Sequence, residues 1–283
     1  MRVRVGDVRI HFEVLGERLV PDGPSLRERP TVVLLHGGPG FDHNSLRPGL
    51  APLADVAQLV FLDHRGQGRS DESTPDRWNL DTWIDDVAGF CDVLGIQRPI
   101  LFGHSFGGMV ALGVATRYPD LLGKLVVSSS AAKFRPDRAL EMFERLGGEE
   151  ARTVASDYFA SPSEERLERF MAVCYPLYGP VPPDLEQRAR IVARPAVGVH
   201  YFSDEIDTYD WFPALDRIGC PTLILAGDLD PITPVAGHEE MAAAIPGARL
   251  EVVEGAGHAP WRDQPAVTLE LLRAFVLVDA SRG

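Results

Sequence analysis

The pentapeptide Gly103-His104-Ser105-Phe106-Gly107 lies between a short apolar run and a helical-looking stretch at residues 109–118. In this context the G-x-S-x-G spacing predicts a sharp strand-to-helix turn with the serine at its apex. Side chains at positions 103 and 107 would collide with the neighbouring strand or helix, so both positions need glycine. The pattern predicts a nucleophilic hydroxyl on Ser105, beside backbone N–H groups that can stabilise a negative charge.

Apolar runs and amphipathic stretches alternate along much of the chain. The spacing of apolar residues predicts helices over 79–94 and 265–276. Residues 2–15 alternate in polarity and predict two short strands, whereas 16–30, rich in proline and glycine, predict a loop. Strands that alternate with helices imply an α/β fold with a mostly parallel sheet covered on both faces. The other predicted strands are 31–35, 58–62, 99–102, 125–128, 221–226 and 250–253.

The strand signal disappears between residues 133 and 212. This segment holds helical stretches rich in glutamate and arginine, separated by prolines. We interpret it as a helical cap inserted into the α/β domain, which a chain of 283 residues can accommodate. The predicted core domain is therefore 1–132 and 213–283, and the predicted cap is 133–212. The helices predicted in the cap are 137–159, 163–174 and 184–193.

A serine hydroxyl becomes a strong nucleophile when a base removes its proton, and a histidine base needs a carboxylate to orient it. On a sheet of this kind the three groups follow in the order serine, acid, histidine. His258 lies in a glycine-rich loop after the last predicted strand and is the expected base. Of two aspartates after the preceding strand, we choose Asp230, because the next residue is a proline that fixes its direction. We interpret Asp228, directly beside a glycine, as a turn or capping residue.

A negative charge that develops on the substrate needs N–H donors nearby. Phe106, the residue after the nucleophile, supplies one, and the loop after strand 31–35 should supply the other. This loop reads His36-Gly37-Gly38-Pro39-Gly40. We choose Gly38, because the residue after His-Gly can turn its amide toward Ser105 and the proline that follows has no N–H.

Together these blocks resemble the α/β-hydrolase superfamily and, within it, the proline iminopeptidase-like group, peptidase family S33. The resemblance covers roughly residues 30–130 and 215–265. It implies the α/β-hydrolase fold, with a mostly parallel eight-stranded sheet and an inserted cap. It also implies removal of an N-terminal residue, often proline, from a short peptide or amide by Ser105, His258 and Asp230. The matching blocks are 36–40, 63–70, 103–108, 227–230 and 257–258.

The resemblance further implies that cap carboxylates recognise the free amine of the substrate. Acidic residues occur near the end of the predicted cap, where Glu205 and Asp204 are the candidates. Aromatic cap residues are suited to line an apolar pocket, and Trp211 and Tyr175 are the candidates for that role. The expected partner is a small molecule or a short peptide.

Two other readings of the sequence stay open. An ester needs no amine pocket, so a carboxylesterase or lactonase, or a carbon–carbon hydrolase of the same fold, is the enzymatic alternative. A ligand-binding receptor built on a hydrolase fold is the non-enzymatic one. Dehalogenases and epoxide hydrolases of this fold are disfavoured, because they carry aspartate at the position of Ser105.

Composition excludes several kinds of partner. The 28 basic and 41 acidic residues give a net charge of −13, which argues against nucleic acid and anionic membranes. The N-terminus lacks the apolar segment of a signal peptide and no run is long enough to span a bilayer, so we expect a cytoplasmic protein. No histidine, cysteine or acidic cluster has metal-site spacing and no dinucleotide fingerprint is complete. We therefore expect no metal and no cofactor, and the oligomeric state stays open.

Overall fold

A sheet of eight strands forms the centre of the structure, a computed structural model in which residues 1–182 and 184–278 are described. Ten strands occur in this part of the chain: β1 (Arg2–Val5), β2 (Val8–Leu15), β3 (Leu19–Asp22), β4 (Ser25–Glu28), β5 (Thr31–Leu35), β6 (Gln58–Leu62), β7 (Ile100–His104), β8 (Lys124–Ser128), β9 (Thr222–Gly227) and β10 (Arg249–Val253). The large sheet has the order β1-β2-β6-β5-β7-β8-β9-β10. Its first two strands are antiparallel to their neighbours and the other six are parallel. The predicted mostly parallel eight-stranded sheet is confirmed.

Helices cover both faces of this sheet. They are α1 (Arg47–Leu50), α2 (Leu80–Val93), α3 (Phe106–Arg117), α4 (Pro136–Ala160), α5 (Glu164–Val173), α6 (Leu185–Ala189), α7 (Pro195–His200), α8 (Val235–Ala244), α9 (Pro260–Asp263) and α10 (Pro265–Leu277). Alternate residues of β5 enter different cores. Val33 and Leu35 pack with α2 and α3, whereas Val32 and Leu34 pack on the opposite face with α1 and α10. A parallel strand buried on both faces accounts for the unbroken apolar runs in the sequence.

Residues 16–30 are not simply a loop, and that prediction was wrong. β3 and β4 form a separate two-stranded hairpin whose register pairs Asp22 with Ser25. Gly23, with a left-handed φ of +60°, makes the tight turn between them. The hairpin is almost wholly exposed. It therefore has no buried face, and the polarity alternation that would have indicated strands is missing.

The chain leaves the sheet after β8 and returns at β9, and four of the helices lie between these strands. α4 and α5 coincide with two of the helices predicted for the cap, and α4 is kinked at Gly148. The third predicted helix, 184–193, is shorter, since α6 ends at Ala189. Residue 183 in the predicted cap and residues 279–283 in the predicted core lie outside the described residues. In the described part of the chain, the helices are too short or too polar to cross a bilayer.

Candidate active site

Ser105 occupies a strained turn between β7 and α3. Its φ and ψ are +52° and −122°, a conformation that costs free energy for any residue other than glycine. Neighbouring glycines allow this turn: a Cβ on Gly103 would lie 2.3 Å from the carbonyl oxygen of Gly107, and a Cβ on Gly107 would lie 2.3 Å from that of Leu35. The close packing of strand, turn and helix therefore requires glycine at both positions and fixes Ser105 at the carboxyl end of β7.

His258 and Asp230 meet at the carboxyl ends of neighbouring strands. Asp230 follows β9 and His258 follows β10, and the Nδ1 atom of the histidine lies 2.8 Å from Oδ2 of the aspartate. An ionised carboxylate has no proton to give, so the imidazole donates this hydrogen bond. The donation fixes the tautomer and leaves Nε2 of His258 free to accept a proton.

The surroundings of Asp230 keep it ionised although it is completely buried. Burial by itself raises the pKa of a carboxyl, but the His258 ring and the N–H and hydroxyl of Thr233 together lower the pKa of Asp230 below its ordinary value. Its Oδ1 atom also accepts the Ile232 N–H at 2.9 Å. Asp228 has a different role: it is partly exposed, and its carboxylate accepts the Ala256 N–H at 3.2 Å. Asp230 is thus the carboxylate that contacts the candidate base.

One cavity joins the predicted catalytic groups. It has a volume of about 860 Å³, and Ser105, His258, Gly38 and Phe106 all lie in its wall. In the described residues, no hydrogen bond joins the Ser105 hydroxyl to His258. The amides of Gly38 and Phe106 likewise donate to no acceptor in the described chain. The loop that carries Gly38 lies directly against the serine, because a Cβ on Gly37 would come within 3.1 Å of Ser105 Cβ.

Two buried histidines beside the cavity hold backbone in place. Nε2 of His36 accepts the N–H of His64 at 3.2 Å, so its Nδ1 carries the proton and donates to the Gly37 carbonyl at 2.8 Å. His104 lies behind the candidate base, its ring centre 4.8 Å from that of His258. Burial lowers the pKa of both His36 and His104, so each is neutral near pH 7. A neutral ring packs beside His258 without repelling the imidazolium that catalysis would create.

The cap touches the candidate base directly. The N–H of His258 donates to the carbonyl oxygen of Tyr178 at 2.6 Å, and the Tyr178 ring packs edge-on against the His258 ring at 5.0 Å. Tyr178 ends a single 3₁₀ turn, Tyr175–Tyr178, that follows α5. The sequence gives no sign that Tyr178 contacts the histidine. No motif marks a residue that acts through its backbone carbonyl, so only the fold reveals the contact.

The four residues predicted to bind substrate are separated by the fold. Tyr175 lines the cavity, whereas Asp204, Glu205 and Trp211 lie outside its wall, which corrects those three assignments. Each has a structural partner instead. Asp204 lies 3.2 Å from the ring of His200, and Glu205 accepts the first amide of α2 at 3.3 Å. Trp211 packs against α3, where a Cβ on Gly113 would come within 3.0 Å of the indole.

Other cap carboxylates reach the cavity instead. Glu164 and Glu168 lie one turn apart on α5, on the side of the helix that borders the cavity. Leu167 and Met171 recur beside them at helical intervals and line the same wall. The spacing therefore identifies one helix face, and the fold shows that this face borders the cavity. The rest of the lining is largely apolar and aromatic, with Phe41, Phe134, Tyr158, Phe202 and Trp261 among its large side chains.

Comparison with known proteins identifies the family. The family model described as the alpha/beta hydrolase fold matches residues 30–261, most of the chain. The chain belongs to the α/β-hydrolase family. This is a family of hydrolase enzymes. The similarity to proline iminopeptidases that the motifs predicted is confirmed by the relatives found.

Three of these relatives cover nearly the whole α/β hydrolase. The proline iminopeptidase of Clostridium botulinum is 28% identical and covers 95% of each chain. The crystal structure of a proline iminopeptidase-related protein from Thermus thermophilus is 28% identical with a TM-score of 0.76, and covers 99% of this chain and 98% of that one. The enol-lactonase from Burkholderia xenovorans, 23% identical with a TM-score of 0.72, covers 98% and 100%. The last of these shows a shared fold only.

Proposed function

We propose that this α/β hydrolase is a serine hydrolase that forms an acyl-enzyme intermediate and releases the N-terminal residue of short peptides or aminoacyl amides. The observation that carries the proposal is the buried hydrogen bond between Asp230 and His258, in the wall of the cavity that also holds Ser105. The similarity to proline iminopeptidases along nearly the full length supports this substrate class.

In the proposed mechanism the Ser105 hydroxyl attacks the carbonyl carbon of the substrate while Nε2 of His258 takes its proton. The amides of Gly38 and Phe106 donate to the oxyanion. His258 then gives the proton to the leaving amine as the carbon–nitrogen bond breaks. A water that His258 deprotonates hydrolyses the ester on Ser105, and the ionised Asp230 stabilises the imidazolium in both steps.

Glu164 and Glu168 are the groups proposed to recognise the substrate amine. Both are exposed on the cap side of the cavity whose wall also contains Ser105, so a protonated α-amine bound to them would lie in the same cavity as the nucleophile. Charge neutralisation by glutamine should raise KM for unblocked aminoacyl arylamides and leave amine-blocked substrates unaffected. Glu165 is the matched control, since it neighbours Glu164 on α5 and does not line the cavity.

A carboxylesterase or lactonase is the second candidate, and the composition of the cavity wall favours it. The aromatic and aliphatic lining suits an uncharged acyl or alcohol group. The acids chosen from the sequence, Asp204 and Glu205, have partners elsewhere. An ester can therefore be held in this cavity without any recognition of an amine.

The deciding experiment compares prolyl-, alanyl- and leucyl-arylamides with acetyl and butyryl aryl esters, using Ser105→Ala as the blank. Hydrolysis of unblocked arylamides that stops when the amine is acylated supports the aminopeptidase. Turnover of esters without arylamides supports the second candidate. Unchanged turnover in Ser105→Ala, or no labelling of Ser105 by a fluorophosphonate, would reject the serine mechanism itself.

A further inference from the structure

Three potential metal ligands meet on β2 and the loop beside it, away from the cavity. His11 and Glu13 lie on the same side of β2, two residues apart, and His43 begins the short 3₁₀ segment His43–Ser45. A ligand atom from each lies within 4.8 Å of the other two. Nε2 of His43 is 3.5 Å from one oxygen of Glu13, and Nε2 of His11 is 3.9 Å from the other.

Each of the two imidazoles has a buried nitrogen atom that makes no hydrogen bond in the described part of the chain. In the described residues, Nε2 of His11 and Nε2 of His43 are buried and accept or donate no hydrogen bond. The His43 side chain is completely inaccessible to solvent, so water does not satisfy its Nε2 from outside. Leaving a buried polar atom unpaired is costly, and each such atom in a native structure requires an explanation such as a bound ion, a water or a function.

The other nitrogen of His43 is held in the way that a metal-bound histidine is held. Its Nδ1 lies 2.6 Å from Oδ1 of Asp63, whose side chain is also fully buried. Asp63 in turn accepts the amides of His43 and Arg69. Metal-binding histidines commonly donate their second ring N–H to a carboxylate, which fixes the ring and makes the free nitrogen a better ligand.

From this arrangement we infer that His11, Glu13 and His43 form a binding site for one divalent transition-metal ion, of which Zn²⁺ fits best. Two imidazoles and one carboxylate are ligands that Zn²⁺ accepts, with water in the fourth position. Tetrahedral Zn²⁺ with bonds of about 2.0–2.1 Å places its ligand atoms about 3.3 Å apart. The observed separations therefore need only small side-chain rotations to close around the ion.

Partial exposure of Glu13 gives an ion access to the site from solvent. Its side chain is 39% exposed, so the site opens to solvent on this side. Arg47 lies beside it, with Nε 3.1 Å from Oε2 of Glu13. Coordination through Oε1 alone would keep this ion pair and would lower the repulsion between the metal and the guanidinium.

The inferred ion has a structural role. None of its three ligands lines the cavity that holds Ser105, so it is not placed to polarise the substrate. It would join β2 to the segment that follows the Gly37–Gly40 loop, which does line the cavity. Binding to the folded chain alone stabilises that chain by mass action, so saturating Zn²⁺ should raise Tm by about 5–10 °C.

The test is a titration of untagged protein, freed of metal by chelator, with Co²⁺ followed in visible absorption and with Zn²⁺ in a calorimeter. We expect one ion per chain, the intense bands of four-coordinate Co²⁺, and their loss when Zn²⁺ is added. Glu13→Gln and His11→Gln should weaken binding by more than about 100-fold, since loss of even an outer-sphere partner costs about 10- to 100-fold. His200→Gln is the matched control, because it removes a histidine from a partly exposed His–Asp pair elsewhere.

The choice of variants keeps the test decisive. Removing the His43 side chain would leave the buried Asp63 carboxylate without its imidazole partner and would destabilise the fold, whereas His11 and Glu13 are only partly buried. Absence of one-to-one binding would overturn the inference and leave a proton as the occupant of the cluster. Binding that survives Glu13→Gln and His11→Gln would overturn it too, because the ion would then be held by other acidic groups of this negatively charged chain.

Discussion

Replacing Gly257 with alanine tests whether the cap positions the candidate base. A Cβ at this position would lie 2.1 Å from the carbonyl oxygen of Tyr178 and 2.6 Å from Cα of Gly179. Real Cβ atoms essentially never approach closer than 3.0 Å, so the two segments must separate by about 0.9 Å. The same oxygen accepts the N–H of His258 at 2.6 Å. The separation therefore either moves the histidine or breaks its bond to the cap.

The expected losses of reaction rate and of stability follow from these two effects. A misplacement of about 1 Å at a catalytic group costs about 100-fold in rate. A buried hydrogen bond that is left unmade costs about 1–3 kcal/mol of the free energy of unfolding. We expect Gly257→Ala to lose about 100-fold in its reaction with a fluorophosphonate and about 1–3 kcal/mol in stability.

The assay is the second-order rate at which a fluorophosphonate labels Ser105, which does not depend on knowing the substrate, together with urea denaturation. Gly219→Ala is the control, because its Cβ would meet nothing within 4 Å and its φ is not left-handed. If folded Gly257→Ala is labelled as fast as Gly219→Ala, then the Tyr178 contact does not position His258 and the reasoning is refuted.

Substitutions of three buried carboxylates, Asp230, Asp63 and Asp86, give further tests, and the partly exposed Asp228 serves as a comparison. Asp230→Asn should reduce turnover by about 10⁴-fold, as the equivalent change does in serine proteases. Asp228→Asn weakens one backbone hydrogen bond and should reduce turnover by less than about 10-fold. Steady-state kinetics measures both, and a larger loss in Asp228→Asn would contradict the choice of Asp230 as the acid. Asp63→Asn should lower the free energy of unfolding by about 2 kcal/mol at pH 7. Although burial raises the pKa of Asp63, a hydrogen bond from a buried imidazole helps to lower it to about 2, from 3.8. Since a carboxylate with a depressed pKa stabilises the fold above its unfolded pKa, denaturation curves for the two proteins should converge as the pH falls from about 4 toward 2. Asp86→Ala removes the main partner of the buried Arg65 guanidinium, which is 2.7 Å away in the parent protein. It should lower the free energy of unfolding by about 3–5 kcal/mol. A loss of less than about 1 kcal/mol in urea denaturation would contradict this, because it would show that solvent reaches the guanidinium.

The fold was predictable because burial on both faces leaves a strong trace in the sequence. Five of the six parallel strands contain a short unbroken apolar run, whereas the edge strand β10 is interrupted by Glu251. The order of strands and helices then restricts the topology. The hairpin of β3 and β4 was not predicted, and the reason is the opposite one. Its strands bury almost nothing, so turn residues such as Gly23 were the only signal, and these occur in loops as well.

The candidate site was likewise only partly predictable from the sequence. Ser105, Asp230 and His258 sit in loops whose glycines are required by close backbone contacts, and such requirements are visible as short motifs. The cap has no equivalent constraint. Periodicity identifies the faces of a cap helix, but it does not say which face borders the cavity, as the face with Glu168 does. Trp211 lies outside the helices, so periodicity does not predict its packing against α3.

Strand register explains why the inferred metal site could not be found by spacing. β2 pairs antiparallel with β6 so that Phe12 lies opposite Leu62, and the amide of Asp63 donates to the carbonyl of His11. Asp63 also orients His43, which arrives from a different loop. A register slip of one residue would turn His11 and Glu13 to the other side of the strand. An ion bound by all three side chains therefore favours one register of β2, and loss of the ion should loosen β2 before it disturbs the parallel strands that carry Ser105 and His258.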